Sequence, residues 1–143
     1  MNTDKLLDTL KQAEGCRLTP YPDSNGNLTV GYGHRLLVDD MRPITQEEAD
    51  GLLLQDTRHA MSQASVLSYW PMVEQDDVRS RVIVEMVFNL GFMGVKQFRK
   101  MAAAISRNDW AKAAAEILDS EAARQLPERY LRLSTMMLGD IDL

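Results

Sequence analysis

A turn signal between two β-prone stretches constrains the fold of this chain more than any other feature of its sequence. The segment "DSNG" at residues 23–26 separates "RLTPY" from "NLTVGYGH", and both flanks are rich in β-forming residues. Asn25 and Gly26 form the dipeptide that tight hairpin turns favour most strongly. We therefore predict a small antiparallel sheet over residues 17–34.

Helical periodicity dominates the rest of the sequence. Leucines and alanines at helical spacing predict a first helix that has Thr3 as its N-cap and Gly15 just beyond its end. Thr45 and Glu48 have the spacing of a capping box, which predicts the start of a long helix over residues 46–64. Pro127 can open the last helix. This last helix is predicted at residues 128–138. Three further helices are predicted at residues 77–90, 95–106 and 109–119.

These elements predict an α+β fold in a single domain over residues 1–143. The small lobe, at about residues 12–56, combines a helix end with the antiparallel sheet. The helical lobe, at about residues 57–143, also takes in the N-terminal helix. The long helix joins the two lobes.

Charge and hydropathy limit the partners that this chain is expected to bind. The net charge is −5, and the excess lies in residues 1–74, which hold 6 basic and 11 acidic side chains, whereas residues 75–143 hold 10 of each. Nucleic acid is not expected, because phosphate binding needs a basic surface. Stable membrane insertion is not expected either, since no apolar run approaches the length of a membrane helix. The single cysteine, Cys16, and the absence of a signal-peptide pattern predict a cytoplasmic location.

Two carboxylates and a hydroxyl follow one another across the predicted helix end and hairpin. Glu14 lies in the last turn of the first helix, Asp23 at the start of the turn, and Thr29 on the returning strand. Glycoside hydrolysis needs one carboxylic acid to protonate the leaving oxygen and a second carboxylate to assist water or charge. A threonine hydroxyl can orient that water. Local propensity also accounts for an aspartate in a turn and a threonine in a strand, so spacing alone leaves both interpretations open.

The identity of the residues around Glu14, Asp23 and Thr29 favours the catalytic interpretation over local propensity alone. "EGCRLTPYPDSNGNLTVGYGH", residues 14–34, resembles the catalytic signature of the phage-type lysozymes, the bacteriophage endolysin family of muramidases. That signature runs E-G-x-R-L, Y-x-D and G-x-x-T-x-G-x-G-H, and every position is matched. "ITQEEADGLLLQD" is similar to the connecting helix of the family, and "MVFNLG" to its core helix. The resemblance implies a lysozyme-like fold.

The resemblance also implies roles for individual residues. Glu14 corresponds to the general acid, Asp23 to the second carboxylate and Thr29 to the hydroxyl that positions water. The implied substrate is the β-1,4 bond between N-acetylmuramic acid and N-acetylglucosamine in peptidoglycan. Phe88 and Asn89 match substrate-binding positions that line the cleft, although core packing explains Phe88 equally well.

Three more positions are expected to support the structure. His34 aligns with a histidine that pairs with an aspartate, here Asp56, and Arg129 resembles the arginine that approaches the catalytic glutamate. The resemblance implies no metal and no cofactor, a monomer, and holin-dependent release from the host cytoplasm to the wall. Only ten residues separate His34 from Thr45, so the extra helix of longer family members should be short or missing.

Three alternatives remain at the level of sequence. A lytic transglycosylase cleaves the same bond with one glutamate and gives 1,6-anhydro products, but it has less need of Asp23 and Thr29. A non-catalytic wall-binding module would carry a degraded set of catalytic residues. A secreted bacterial effector could use the same domain, because fold and chemistry do not fix biological context.

Overall fold

The predicted hairpin is present in the computed structural model, which describes residues 1–139 and 141–143. The described residues form a three-stranded antiparallel sheet and a set of helices, which confirms the α+β class. The chain divides into two compact units, a smaller one at Thr3–His59 and a larger one that comprises Met1–Asn2 and Ala60–Leu143. No helix of this described part is long and apolar enough to cross a membrane.

The sheet lies in the smaller unit and has the strand order β1-β2-β3. Tyr21 pairs with Thr29 between the first two strands, and the ladder is irregular between Arg17 and Tyr21. Pro20 lies in that irregular stretch, and it has no N–H to give to a ladder. The elements of this unit are α1 (Thr3–Glu14), β1 (Arg17–Pro22), β2 (Leu28–Gly31), β3 (His34–Arg35) and the first part of α2 (Gln46–Ala64).

Helix α1 belongs to the smaller unit, whereas the division expected from the sequence grouped it with the helical lobe. Lys11 in its last turn lies 3.7 Å from Asp50 of α2, measured from Nζ to Oδ1. The capping box at the start of α2 is present, since the Glu48 N–H donates to Thr45 Oγ1 at 3.1 Å and the Thr45 N–H donates to Glu48 Oε1 at 3.2 Å. Residues 36–45, between β3 and α2, contain no helix.

The larger unit is helical and centres on α4. Every residue of α4 from Ser80 to Val87 is buried, and Asp76 caps its first turn by accepting a hydrogen bond from the Arg79 N–H. Helix α9 packs against α4, α7 and α8, and α6 packs against α7. The elements are α3 (Trp70–Val73), α4 (Asp77–Leu90), α5 (Phe92–Lys96), α6 (Arg99–Ser106), α7 (Trp110–Leu118), α8 (Glu121–Gln125) and α9 (Pro127–Leu138).

Two buried charges stand among the apolar residues of α4. Glu85 is 1% exposed, and it accepts hydrogen bonds from Arg129 and Arg132 of α9. Arg81 is 2% exposed, and its guanidinium contacts Asp77 and Asp142. Each buried charge therefore has opposite charge beside it, as burial in a low-dielectric interior requires.

The helical segmentation differs from the sequence prediction at three points. The single helix predicted over residues 95–106 is two helices, α5 and α6, because the backbone of Phe98 leaves the helical region at ψ 63°. The short helix α3 was not predicted, and Pro71 lies in its first turn, where the N–H that a proline lacks would have no partner within the helix. Helix α8, capped by Ser120, was not predicted.

We expect Gly139→Ala to destabilise the larger unit by about 2 kcal/mol. Gly139 ends α9 with φ 108°, and a methyl group there would overlap the Arg79 guanidinium. That guanidinium cannot move freely, because it donates to the carbonyls of Met137 and Leu138 and stacks over Trp110. The measurement is the free energy of unfolding from urea titration.

Gly51→Ala is the matched control for this substitution. Gly51 lies within α2, and a methyl group there would meet no atom within 4 Å. Alanine at this helical position should raise stability by about 0.5–1 kcal/mol. Equal effects of the two substitutions would contradict the role of Arg79 at the end of α9.

Candidate active site

The Glu14 side chain lies at the carboxyl end of α1, beside a glycine-rich turn. The Gly15 N–H donates to the Lys11 carbonyl at 3.1 Å and closes the helix immediately after Glu14. The Glu14 side chain is half-buried, and its Oε1 atom is not accessible to solvent. Oε2 faces the turn, where a methyl group added to Gly33 would lie 3.9 Å away.

This turn, Gly31-Tyr32-Gly33, joins β2 to β3. Val30 pairs with His34, so three residues reverse the chain. Gly31 has φ 66° and Gly33 has φ 85°, which residues with a Cβ atom adopt only at a cost. The "GYG" of the sequence is therefore needed for a three-residue reversal beside the Glu14 carboxyl group.

The carboxylate of Asp23 stabilises the hairpin turn by accepting two backbone hydrogen bonds. Oδ1 accepts the N–H of Asn25 at 2.9 Å and the N–H of Asn27 at 2.8 Å. The backbone bond from Asn27 lowers the pKa of Asp23 below its usual value, and the bond from Asn25 and the charge of Arg35 act in the same direction. Asp23 is therefore an ionised carboxylate at neutral pH.

Thr29 lies on β2 and is 5% exposed. Its hydroxyl donates to the Asn27 carbonyl at 2.9 Å, so its proton is engaged and its lone pairs are its remaining hydrogen-bonding capacity. The same residue, Asn27, donates its N–H to Asp23. Asn27 is therefore hydrogen-bonded both to the Asp23 carboxylate and to the Thr29 hydroxyl.

Asn27 was missed by sequence reasoning, as was its contact with Arg35. The Arg35 guanidinium donates to Asn27 Oδ1 at 3.0 Å, which places a positive charge near the Asp23 turn. The available signal was the four-residue spacing from Asp23 to Asn27 across an Asn-Gly turn. That spacing is compatible with many turn types, and it does not by itself specify which backbone groups the carboxylate accepts.

His34 and Asp56 are adjacent in the smaller unit. His34 Nδ1 lies 2.8 Å from Asp56 Oδ2, which connects β3 to α2. The other histidine, His59, is exposed on α2.

The other predicted site residues lie in the larger unit. Asn89 accepts a hydrogen bond from the Tyr130 hydroxyl at 2.6 Å, and Arg129 Nε donates to Glu85 Oε2 at 2.9 Å. Phe88 is half-buried on α4. Within residues 1–139 and 141–143, no group of three histidine, cysteine, aspartate or glutamate side chains could hold a metal ion.

We expect Asp23→Asn to weaken the smaller unit in a pH-dependent way. Asparagine keeps an oxygen that can accept the backbone bonds but loses the charge. Since the folded-state pKa is lowered from 3.8, the charge contributes stability that is fully present above that value and is lost as pH falls through the folded-state pKa. The urea midpoint of the variant should be lower than that of the wild type at about pH 6, and the difference should shrink towards about pH 3.

Asp39→Asn provides the control for this measurement, because Asp39 is exposed in the loop that precedes α2. Its midpoint should follow that of the wild type at both pH values. An Asp23→Asn deficit that stays constant over the same pH range would show that the charge does not stabilise the turn.

Comparisons with known proteins show which family this chain belongs to. A family model described as phage lysozyme matches residues 11–127. The chain is 28% identical to probable T4-type lysozyme 2 of Dictyostelium discoideum over 153 aligned positions, which cover 90% of each chain. It is 28% identical to the endolysin of Acyrthosiphon pisum secondary endosymbiont phage 1, over 81% of this chain and 77% of the relative.

A third relative is a larger protein. The pre-baseplate central spike protein Gp5 of Enterobacteria phage T4 is 28% identical over 93% of this chain, which corresponds to 27% of that protein.

The family model covers most of the chain, including the helix end, the hairpin and the glycine turn. The chain therefore belongs to the phage lysozyme family and is a peptidoglycan-degrading hydrolase.

Proposed function

We propose that this protein hydrolyses the β-1,4 bond between N-acetylmuramic acid and N-acetylglucosamine, with Glu14 as general acid and with Asp23 and Thr29 positioning the attacking water. The observation that carries the proposal is the junction at Asn27, which joins an ionised carboxylate to a hydroxyl whose proton is already engaged. Such a pair offers acceptors, and an attacking water needs acceptors for its protons.

In the proposed first event, Glu14 gives its proton to the glycosidic oxygen as the bond from that oxygen to the anomeric carbon breaks. The leaving sugar departs as an alcohol, and positive charge develops on the ring that remains. The half-buried state of the side chain limits the access of bulk water to that proton.

In the proposed second event, a water attacks the anomeric carbon from the opposite face of the ring. The water donates one hydrogen bond to Asp23 and one to Thr29, which leaves a lone pair directed at carbon. Asp23 accepts the proton that the water loses, and the new carbon–oxygen bond completes hydrolysis. Inverting enzymes separate the two carboxyl groups by about 6.5–9.5 Å to admit this water.

The relatives support the cellular setting of the proposal. One of them is called an endolysin and two are called T4-type lysozymes. We extend from these names to wall lysis as the biological task and to peptidoglycan as the macromolecule that this chain meets. A lytic transglycosylase is the second candidate, and it is favoured only if Asp23 acts solely as the structural acceptor of the hairpin turn.

We expect Glu14→Gln to lose about 10²–10⁴-fold in lytic activity, because glutamine keeps the shape of the side chain but cannot donate the proton. The assay is the fall in turbidity of a peptidoglycan suspension, with circular dichroism to verify folding. Glu47→Gln is the control, since Glu47 is an exposed carboxylate in the first turn of α2, and it should retain wild-type activity. More than a tenth of wild-type activity in Glu14→Gln would remove Glu14 from the role of acid.

The chemistry of the products separates the two enzymatic candidates. Hydrolysis should leave reducing N-acetylmuramic acid ends, whereas a transglycosylase would leave a 1,6-anhydro sugar that is lighter by one water. Mass spectrometry of digested peptidoglycan distinguishes them, and nuclear magnetic resonance of the first product gives the anomeric configuration, which should be inverted. Predominantly anhydro products would contradict hydrolysis, and retained configuration would instead make Asp23 a nucleophile.

A further inference from the structure

A cluster of four polar side chains connects three elements of the smaller unit. Asp50 Oδ1 accepts hydrogen bonds from the Tyr32 hydroxyl at 3.3 Å and from Gln46 Nε2 at 2.9 Å, and Lys11 Nζ lies 3.7 Å from it. Gln46 Nε2 also donates to the Tyr32 hydroxyl at 3.0 Å. We call Lys11, Tyr32, Gln46 and Asp50 the Asp50 cluster.

Two members of the Asp50 cluster, Lys11 and Tyr32, belong to parts of the structure that lie beside Glu14. Lys11 lies three residues before Glu14 on α1. Tyr32 is the middle residue of the turn whose Gly33 faces the Glu14 carboxyl group. Asp50, on α2, contacts both Lys11 and Tyr32 through the same oxygen atom. It therefore joins the helix that carries Glu14 to the turn beside its carboxyl group.

We propose that the Asp50 cluster positions Glu14, with Tyr32 and Asp50 as positioning residues for the reaction. This inference rests on the proposed function, since it requires Glu14 to be the general acid. The cluster holds the end of α1 at a fixed distance from the Gly31-Tyr32-Gly33 turn, and so fixes where the Glu14 carboxyl group stands relative to the sheet.

Packing fixes the other side of the same turn. A methyl group added to Gly31 would lie 3.5 Å from the Ala49 Cβ and 3.6 Å from Ile44 Cδ1, so the turn is seated on the start of α2. Tyr32 is itself buried, and burial raises the pKa of its hydroxyl, which stays protonated and able to donate to Asp50. Packing sets how closely the turn approaches α2, and the Asp50 cluster connects it to α1.

We expect loss of the hydrogen bonds in the Asp50 cluster to lower the catalytic rate more than it lowers the stability of the fold. The Lys11 and Asp50 side chains are 39% and 43% exposed, and ion pairs at that exposure contribute little to folding. A general acid, by contrast, must stand within hydrogen-bond reach of the oxygen that it protonates, and a displacement of about 1 Å can cost about 100-fold in rate. Loss of the cluster should therefore lower kcat while the protein remains folded.

The test uses Tyr32→Phe and Asp50→Ala in steady-state assays on solubilised, uncross-linked glycan strands. Each variant should lower kcat by about 10-fold, leave KM within about two-fold of the wild-type value and melt within a few degrees of the wild type. Tyr69→Phe is the matched control, because it removes a buried hydroxyl for which the described residues supply no hydrogen-bond partner. Its kcat should equal that of the wild type.

Two further variants separate positioning from a general loss of structure. Asp50→Asn keeps the oxygen that accepts from Tyr32 and Gln46, so its kcat should exceed that of Asp50→Ala by about three-fold or more. The double variant Tyr32→Phe/Asp50→Ala should lose no more than the worse of its two single variants, because both act through one network.

Wild-type kcat in both single variants, a change confined to KM, or additive losses in the double variant would each overturn the positioning role. Glu14→Gln distinguishes this failure from failure of the proposed function. If Glu14→Gln is inactive while Tyr32→Phe and Asp50→Ala turn over normally, only the positioning role is wrong. If Glu14→Gln is active, both proposals fail together.

Discussion

The smaller unit depends on the two backbone N–H groups that converge on the Asp23 carboxylate. They fix the hairpin turn, and the turn fixes the register in which Tyr21 opposes Thr29. Register decides which face of a strand each side chain occupies, so a slip of one residue would reverse the orientation of Thr29. The strand then continues into the Gly31-Tyr32-Gly33 turn, whose last glycine faces Glu14. The placement of the candidate catalytic groups therefore begins with one carboxylate.

A different constraint organises the larger unit, because two charged side chains of α4 are buried among apolar ones. Glu85 and Arg81 stand among buried valine, isoleucine and methionine side chains of α4. Removal of one partner from such a pair leaves an uncompensated charge and typically costs about 3–5 kcal/mol, whereas replacement of the whole pair by apolar groups is often tolerated. The pairs with Arg129 and Arg132 thus commit α9 to one alignment against α4. Shape alone would permit several alignments between two helices.

Local signals in the sequence predicted most of the fold, and they failed where the decisive partner is distant. The bounds of α2, the opening of α9 at Pro127 and the hairpin follow from caps, proline and turn residues that act within a few positions. The break at Phe98 carries no glycine or proline, and periodicity continues through it. Glu85 meets its arginines 44 and 47 residues later, a separation that a pattern search does not reach. At the candidate site, the motif named Glu14, Asp23 and Thr29, whose catalytic roles stay a prediction, but it did not name Asn27, which contacts two of them.

The ring that Asp23 closes with Asn27 has a practical consequence for spectroscopy. The Asn27 N–H and the Asp23 carboxylate close the ring, whereas the side chain of Ser24 takes no part in it and is exposed. A fluorophore or spin label attached at Ser24→Cys would therefore lie next to Asp23 without replacing either partner of the hydrogen bonds that close the turn. Cys16 is exposed as well, so it must first be replaced to make the attachment specific. Under the proposed function, such a label would report the binding of a glycan strand beside Asp23 through a change in its own mobility or emission.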